Sequence, residues 1–274
     1  MVGSAKSKAS VKSVDPVWTS VVDGAREIAR VEPSLSSFVV STVLNHDQFD
    51  QALSHRLAER LDHNDVSADL IRQAFNDVLE TSPEIGVSAR IDLMATLERD
   101  PACHRAIEPF LYFKGYHAIQ THRFANALWK QGRHDLAFYL QSRSSQVFQV
   151  DINPQVTIGK GIMLDHGTGV VIGETAVVGD YVSILQGVTL GGTGKEDGDR
   201  HPKIGSGVLI GAGAKILGNI SVGKCARIAA GSVVLKDVPE RKTVAGVPAK
   251  IVGEAGCDQP ASLMDQMLRL GAEN

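Results

Sequence analysis

Six residues separate Ile204 from Ile210, and the same interval leads on to Ile216, Val222, Ile228 and Val234. Four residues after each of these come Val208, Ala214, Ile220, Ala226, Ser232 and Val238. This repeat matches neither a helix of ~3.6 residues per turn nor a strand alternating every ~2. It suits a coil with three flat sides, each built from one hexapeptide, in which the large aliphatic residue points into a prism and the smaller one sits at the turn. Three sides make a coil of about eighteen residues, and coils stack at the strand spacing of ~4.8 Å. The same frame runs earlier through Ile152, Ile158, Leu164 and Val170, slips by two residues at Val171, and resumes at Ile172, Val178, Ile184 and Leu190. Between Leu190 and Ile204 it is interrupted by GGTGKEDGDRHPK, eight residues more than one repeat requires, which must leave the prism as a loop. The expected architecture is a parallel β-helix, a one-dimensional stack whose end faces need covering.

Ahead of this repeat the period is helical. Phe49, Leu53, Leu57 and Leu61 fall on one stripe; Leu70, Ile71, Ala74, Phe75, Val78 and Leu79 form a second; Ile119, Phe124 and Leu128 form another. Breaks are expected at Glu32-Pro33, Ser82-Pro83, Asp100-Pro101 and Glu108-Pro109, because a proline disfavours helix in the residue before it. The fold class is therefore α+β, an all-α N-terminal domain followed by the β-helix. The expected organisation is a flexible tail over 1–14, helices over 15–146, the β-helix over 147–253 with its loop at 191–203, and a C-terminal tail over 254–274.

Composition narrows the function classes. With 28 basic and 31 acidic residues the formal charge is −3, so nothing asks for a nucleic-acid partner. No apolar run reaches the ~20 residues of a membrane span and the N-terminus lacks the apolar stretch of a signal peptide, so a cytoplasmic protein is expected. Cys103, Cys225 and Cys257 form neither a CxxC pair nor a disulfide ladder and read as reduced thiols.

The motifs LDHGTG, GGTGK and DRHPKIG within the hexapeptide half, the later AGSVVLKDVPERKTVAGVPAKIVG, and LERDPA with HRFANALWKQGRHDLAFYLQSRSSQVF in the helical half closely resemble serine acetyltransferases of the bacterial and plant type. That resemblance implies a left-handed β-helix and acetyl transfer from acetyl-CoA to the hydroxyl of L-serine, giving O-acetylserine, as a step of cysteine synthesis. It implies that His166 is the general base, since an imidazole titrates near working pH, and that Asp151 is its acid partner. Fifteen residues, somewhat less than one coil, separate these two, so they approach only if their turns stack or a neighbouring subunit contributes. By the same resemblance Arg200, whose planar fork suits a carboxylate, and His201 hold the substrate carboxylate. Asp165 and Asp100 hold its ammonium group. The resemblance assigns acetyl-CoA to Gly192, Thr193, Ala212 and Ala230, small enough for the pantetheine arm to lie along the backbone, and to Lys250 at the nucleotide phosphates. It calls for no metal.

Family members form trimers, and pairs of trimers, and are inhibited by L-cysteine; the same is expected here. Many relatives bind O-acetylserine sulfhydrylase through a terminal isoleucine. Asn274 stands in that place, so weak or absent binding is expected. Three other readings remain open: a hexapeptide acyltransferase for a sugar, an antibiotic or homoserine; a zinc carbonic anhydrase, although the coils hold only His166 and His201 of the three histidines such a site needs; and a non-catalytic scaffold.

Overall fold

Helices occupy the stretches with helical spacing. The computed structural model describes residues 15–194 and 197–267, so the expected tail over 1–14 and the terminal Asn274 lie outside the described residues. The helices are α1 (Pro16–Val31), α2 (Ser36–Val39), α3 (Phe49–Leu61), α4 (Ala68–Thr81), α5 (Glu84–Arg99), α6 (Ile107–Leu111), α7 (Lys114–Lys130) and α8 (His134–Phe148). Asp15 caps the first by accepting the Trp18 N–H at 3.0 Å, with Pro16 in the first-turn position where its missing N–H costs nothing. Phe49, Leu53, Leu57 and Leu61 are all fully buried, as are Phe75, Phe124 and Leu128. Leu70 departs from its stripe and is 58% exposed.

Three of the four proline breaks end helices where expected, at Val31, Thr81 and Arg99. The fourth does not: Pro109 lies inside α6, in the first turn, where its ring displaces no intrahelical hydrogen bond.

From Val150 the chain winds into a prism with three parallel faces. The first face holds β1 (Val150–Ile152), β4 (Val170–Ile172), β7 (Thr189–Gly191), β10 (Lys215–Leu217) and β13 (Val233–Val234). The second holds β2 (Thr157–Ile158), β5 (Val177–Val178), β8 (Lys203–Ile204) and β11 (Ser221–Val222). The third holds β3 (Met163–Leu164), β6 (Ser183–Ile184), β9 (Leu209–Ile210) and β12 (Arg227–Ile228), closed by the hairpin of β14 (Lys242–Gly246) and β15 (Ala249–Glu254). The six-spaced aliphatic residues from Ile204 to Val234 are each at most 2% exposed. Their burial is the main force holding the coils, on the order of 1.5–3 kcal/mol per side chain before entropy is counted.

Register shows where the period is broken. Ile204 pairs with Val222 and Ile210 with Ile228, one regular coil apart. Leu164 pairs instead with Ile184, two residues beyond a regular coil, and the excess falls in the turn that carries His166. Val178 pairs with Ile204, eight residues beyond, and that excess is the loop that carries Arg200 and His201.

The helical half is pinned to the first coil by a sealed polar cluster. Asp92 of α5, with no exposed surface, accepts from Gln120 Nε2 at 3.0 Å, from Arg123 Nε at 3.0 Å and Nη2 at 2.7 Å, and from the Ile162 N–H at 2.9 Å. Arg123 also donates to the carbonyl of Gly159. A buried carboxylate satisfied by four donors fixes α5 against the coil that leads into β3, and losing one partner would strand a charge in the interior. The last part of the described chain, with α9 (Pro260–Leu263), folds back across the third face: the Ala261 N–H reaches the Gly207 carbonyl, and Arg227 Nη1 donates to the Asp265 carbonyl. No helix among the described residues is long and apolar enough to cross a membrane.

Candidate active site

Along the corner between the third and first faces, the backbone rungs Gly187 N–H to Thr168 O, Gly213 N–H to Gln186 O and Gly231 N–H to Ala212 O stack successive turns, each at 2.8 Å. His166 occupies the first of these turns in the left-handed backbone region, φ 55°. That conformation is disfavoured for a residue with a Cβ and lifts the ring off the coil. Its side chain is 72% exposed, and among the described residues the ring makes no hydrogen bond. Asp165 Oδ1 lies 3.6 Å from His166 Nε2, close enough for electrostatic attraction but too long for a hydrogen bond.

His166 opens onto a cleft of about 340 Å³, lined also by Asp165, Asp100, Lys114, Thr168 and Phe113. Asp100 reaches it because it caps the C-terminal end of α5, where its Oδ1 accepts the Ala102 N–H at 2.8 Å. The α7 N-terminus forms the opposite wall, brought close by Gly115: a Cβ there would sit 1.9 Å from the Leu164 carbonyl oxygen. Burial raises the Asp165 carboxyl above its ordinary value; the neighbouring His166 opposes the shift and the neighbouring Asp100 adds to it. Two carboxylates converging on one partly desolvated cleft repel each other, and a cation between them relieves that repulsion.

The second group of expected residues sits on a different corner, between the first and second faces. Arg200 Nη2 donates to Glu174 Oε2 at 2.7 Å, and the Arg200 and His201 N–H groups both donate to Thr175 Oγ1, at 3.0 and 3.1 Å. His201 is only 7% exposed. The Thr175 N–H donates to its Nδ1 at 3.2 Å, which leaves the proton on Nε2. Burial, with Arg200 beside it, lowers the His201 pKa and keeps the ring neutral. The ring lies over Gly173, where a Cβ would come within 2.0 Å of Nε2.

Within one chain, then, Asp100, Asp165 and His166 share a cleft, while Arg200 and His201 do not line it. Asp151 lies on the first face between the two corners, half-buried, and accepts from Gln141 Nε2 at 2.6 Å rather than pairing with His166 within 4 Å. The residues expected at acetyl-CoA divide the same way. Ala212 and Ala230 continue the His166 corner two and three coils on, about 10 and 14 Å along the axis. The exposed Lys250 belongs to the hairpin that follows them. Gly192 and Thr193 belong to the other corner, Gly192 packed under the Arg200 side chain and Thr193 against Gly218.

Sequence reading passed over Gln141, Glu174, Thr175, Lys114 and Gln186. Gln186 is on the His166 corner one coil further on, and its buried Oε1 has no partner among the described residues. Burial pushes the Cys103 thiol up to about 11, so it stays protonated. Among the described residues no three His, Cys, Asp or Glu side chains converge to hold a metal ion.

Comparison with known proteins gives this arrangement its family. The model "Serine acetyltransferase, N-terminal" matches residues 17–121, and "Bacterial transferase hexapeptide (six repeats)" matches residues 201–236. A serine acetyltransferase of Escherichia coli K12 is 52% identical over 257 residues, covering 94% of each protein. A crystal structure of serine acetyltransferase in complex with coenzyme A, from Brucella abortus S19, is 60% identical and superposes with a TM-score of 0.89, covering 91% of this chain and all of that one. A serine acetyltransferase in complex with cysteine is 51% identical with a TM-score of 0.90, over 92% of this chain and 98% of that one. On this evidence the chain belongs to the serine acetyltransferase family.

Proposed function

We propose that this enzyme transfers the acetyl group of acetyl-CoA to the hydroxyl of L-serine in a ternary complex, with His166 as general base. The observation that carries the reading is the meeting of an exposed imidazole with two carboxylates in one cleft. The carboxylates suit the ammonium of an amino acid, and the imidazole suits a hydroxyl that must lose its proton to become a nucleophile. His166 takes that proton, the serine oxygen attacks the thioester carbonyl, and the tetrahedral oxyanion collapses to O-acetylserine and CoA. The imidazolium returns its proton to the departing thiolate. Asp151, the partner expected for His166, stabilises the imidazolium once Gln141 yields its place.

Arg200 and the neutral His201, through its Nε2–H, offer donors to the serine carboxylate. They stand on the far corner of the first face, so a second copy of the chain that lays its loop corner against the His166 corner completes the site. Such an assembly, a trimer in the simplest closed form, also joins Ala212 and Ala230 of one copy to Gly192 and Thr193 of the next along one groove. Acetyl-CoA fits that groove, with its thioester beside His166 and its phosphates towards Lys250. The CoA complex of the relative supports this reading, and the cysteine complex supports L-cysteine as a competitor for the same charged contacts. The family assignment favours serine over a sugar or homoserine acceptor and over carbonic-anhydrase chemistry.

The test is thiol release from acetyl-CoA with serine, homoserine and a sugar as competing acceptors. Serine should win by kcat/KM; equal or better turnover of homoserine or the sugar would reject the assignment.

A further inference from the structure

A cavity of about 540 Å³ lies apart from the catalytic cleft. It lies on the opposite side of α5, between that helix, the corner joining the second and third faces, and the returning C-terminal segment. Its walls are largely apolar, with Val17, Ile91, Met94 and Tyr181 prominent, and its size falls within the range of small-molecule sites.

Two cations without ion-pair partners among the described residues face this space. Arg99 is only 7% exposed. Its Nη1 donates to the Gly161 carbonyl and to Ser183 Oγ, both at 3.1 Å, its Nε has no acceptor, and its Nη2 makes no hydrogen bond among the described residues. Among the described residues no carboxylate forms an ion pair with it, and the charges of Glu98, exposed at the rim, and of Asp92 act on it only from a distance. Burying a guanidinium with no carboxylate bonded to it is costly, and an anion in the cavity reduces that cost. Lys224 lines the same space. The third cation, Arg90, is already neutralised by Asp15 and Asp50, each at 2.8 Å.

We infer that this cavity is an effector site for an organic carboxylate with an apolar body, held by the free edge of Arg99 and by Lys224. Arg99 connects it to the catalytic cleft in two ways: Asp100 follows it directly in the chain, and the Gly161 carbonyl that it holds stands four residues before Asp165. A ligand that draws on the guanidinium therefore shifts both carboxylates expected to hold the serine ammonium. The coupling, though not the binding, rests on the proposed function.

Octanoate is a suitable probe, with acetate lacking the apolar body and octylamine carrying the opposite charge. In calorimetric titration of the intact protein, octanoate should bind saturably and at least about tenfold tighter than acetate, while octylamine should not compete. Met94→Trp, which fills the cavity, and Arg99→Gln should each weaken octanoate about tenfold or more, and Lys224→Ala, at an exposed position, about threefold. Saturating octanoate should change the KM for serine about fivefold and leave that for acetyl-CoA unchanged. Absence of saturable binding, or unchanged affinity in both Met94→Trp and Lys224→Ala, would overturn the proposal, as would a serine KM that octanoate does not move. Failure of the serine assignment is separable, because it appears as missing turnover of serine without octanoate while the titration is unaffected.

Discussion

The two corners that flank the first face hold the residues proposed to carry the chemistry, and they are built in opposite ways. At the His166 corner the period is exceeded by two residues, and the surplus leaves one side chain 72% exposed with no hydrogen bond among the described residues. At the Arg200 corner it is exceeded by eight, and the surplus is tied down: Thr175, twenty-five and twenty-six residues back, receives both backbone N–H groups and Glu174 holds the guanidinium. A base must approach its substrate and exchange a proton, so freedom suits it. A carboxylate clamp gains from donors fixed in advance, because less entropy is lost on binding.

The contrast breaks most sharply at the free corner. His166→Ala should lower kcat by roughly 10² to 10⁴, the usual worth of a general base, with the melting temperature little changed because the ring is largely exposed. Activity within threefold of the parent would remove His166 from the base role. At the tied corner the effect should fall on binding: Arg200→Ala should raise the serine KM by about 1.5–3 kcal/mol, roughly 10- to 150-fold, with little change in the acetyl-CoA KM. A serine KM that stays put would take Arg200 out of the site.

Gly173→Ala sharpens the point without touching any charge. The added Cβ would meet His201 Nε2 at 2.0 Å and displace the ring from its bond with Thr175, so serine KM should rise about three- to tenfold while kcat is largely kept. If Gly173→Ala binds serine normally, the preset orientation of His201 does not matter. Gly173 does not lie in the left-handed region, so what the substitution adds is the clash with His201 and not backbone strain.

Much of this was legible in the chain because a six-residue period admits few architectures, and departures from it mark the places where backbone must leave the prism. That is why His166, Arg200 and His201 could be named from their positions in the frame and their resemblance to a family. What could not be read is contact that depends on stacking. Glu174 and Thr175 meet Arg200 only because a coil of twenty-six residues brings one over the other. Asp92 looks like an ordinary polar position of a helix until Arg123, Gln120 and Ile162 close around it. Gly115 carries no signal of the 1.9 Å approach that makes it necessary. The proline rule failed at Pro109 because a proline in a first helical turn obeys a different constraint from one at a helix end.

The smallest expected effect concerns stability rather than turnover, and separates the corners by the sign of their response to pH. Burial and Asp100 raise the Asp165 carboxyl, so its favourable contribution to folding is fully present below its unfolded pKa and is lost as pH rises through the higher folded value. At neutral pH the unliganded enzyme therefore carries a strained carboxylate, and Asp165→Asn should raise the melting temperature by about 1–4 °C there, with the gain shrinking to nothing on acidification. Glu174 behaves in reverse: the hydrogen bond from Arg200 lowers its pKa, so the pair stabilises above the ordinary carboxylate range and weakens as pH falls, and Glu174→Gln should be neutral or slightly destabilising at neutral pH. Melting curves of both variants across acid and neutral pH read the two signs directly. If Asp165→Asn melts lower than the parent at neutral pH, the cleft does not hold its carboxylates in readiness for a cation, and the ammonium of the substrate loses its reason to bind there.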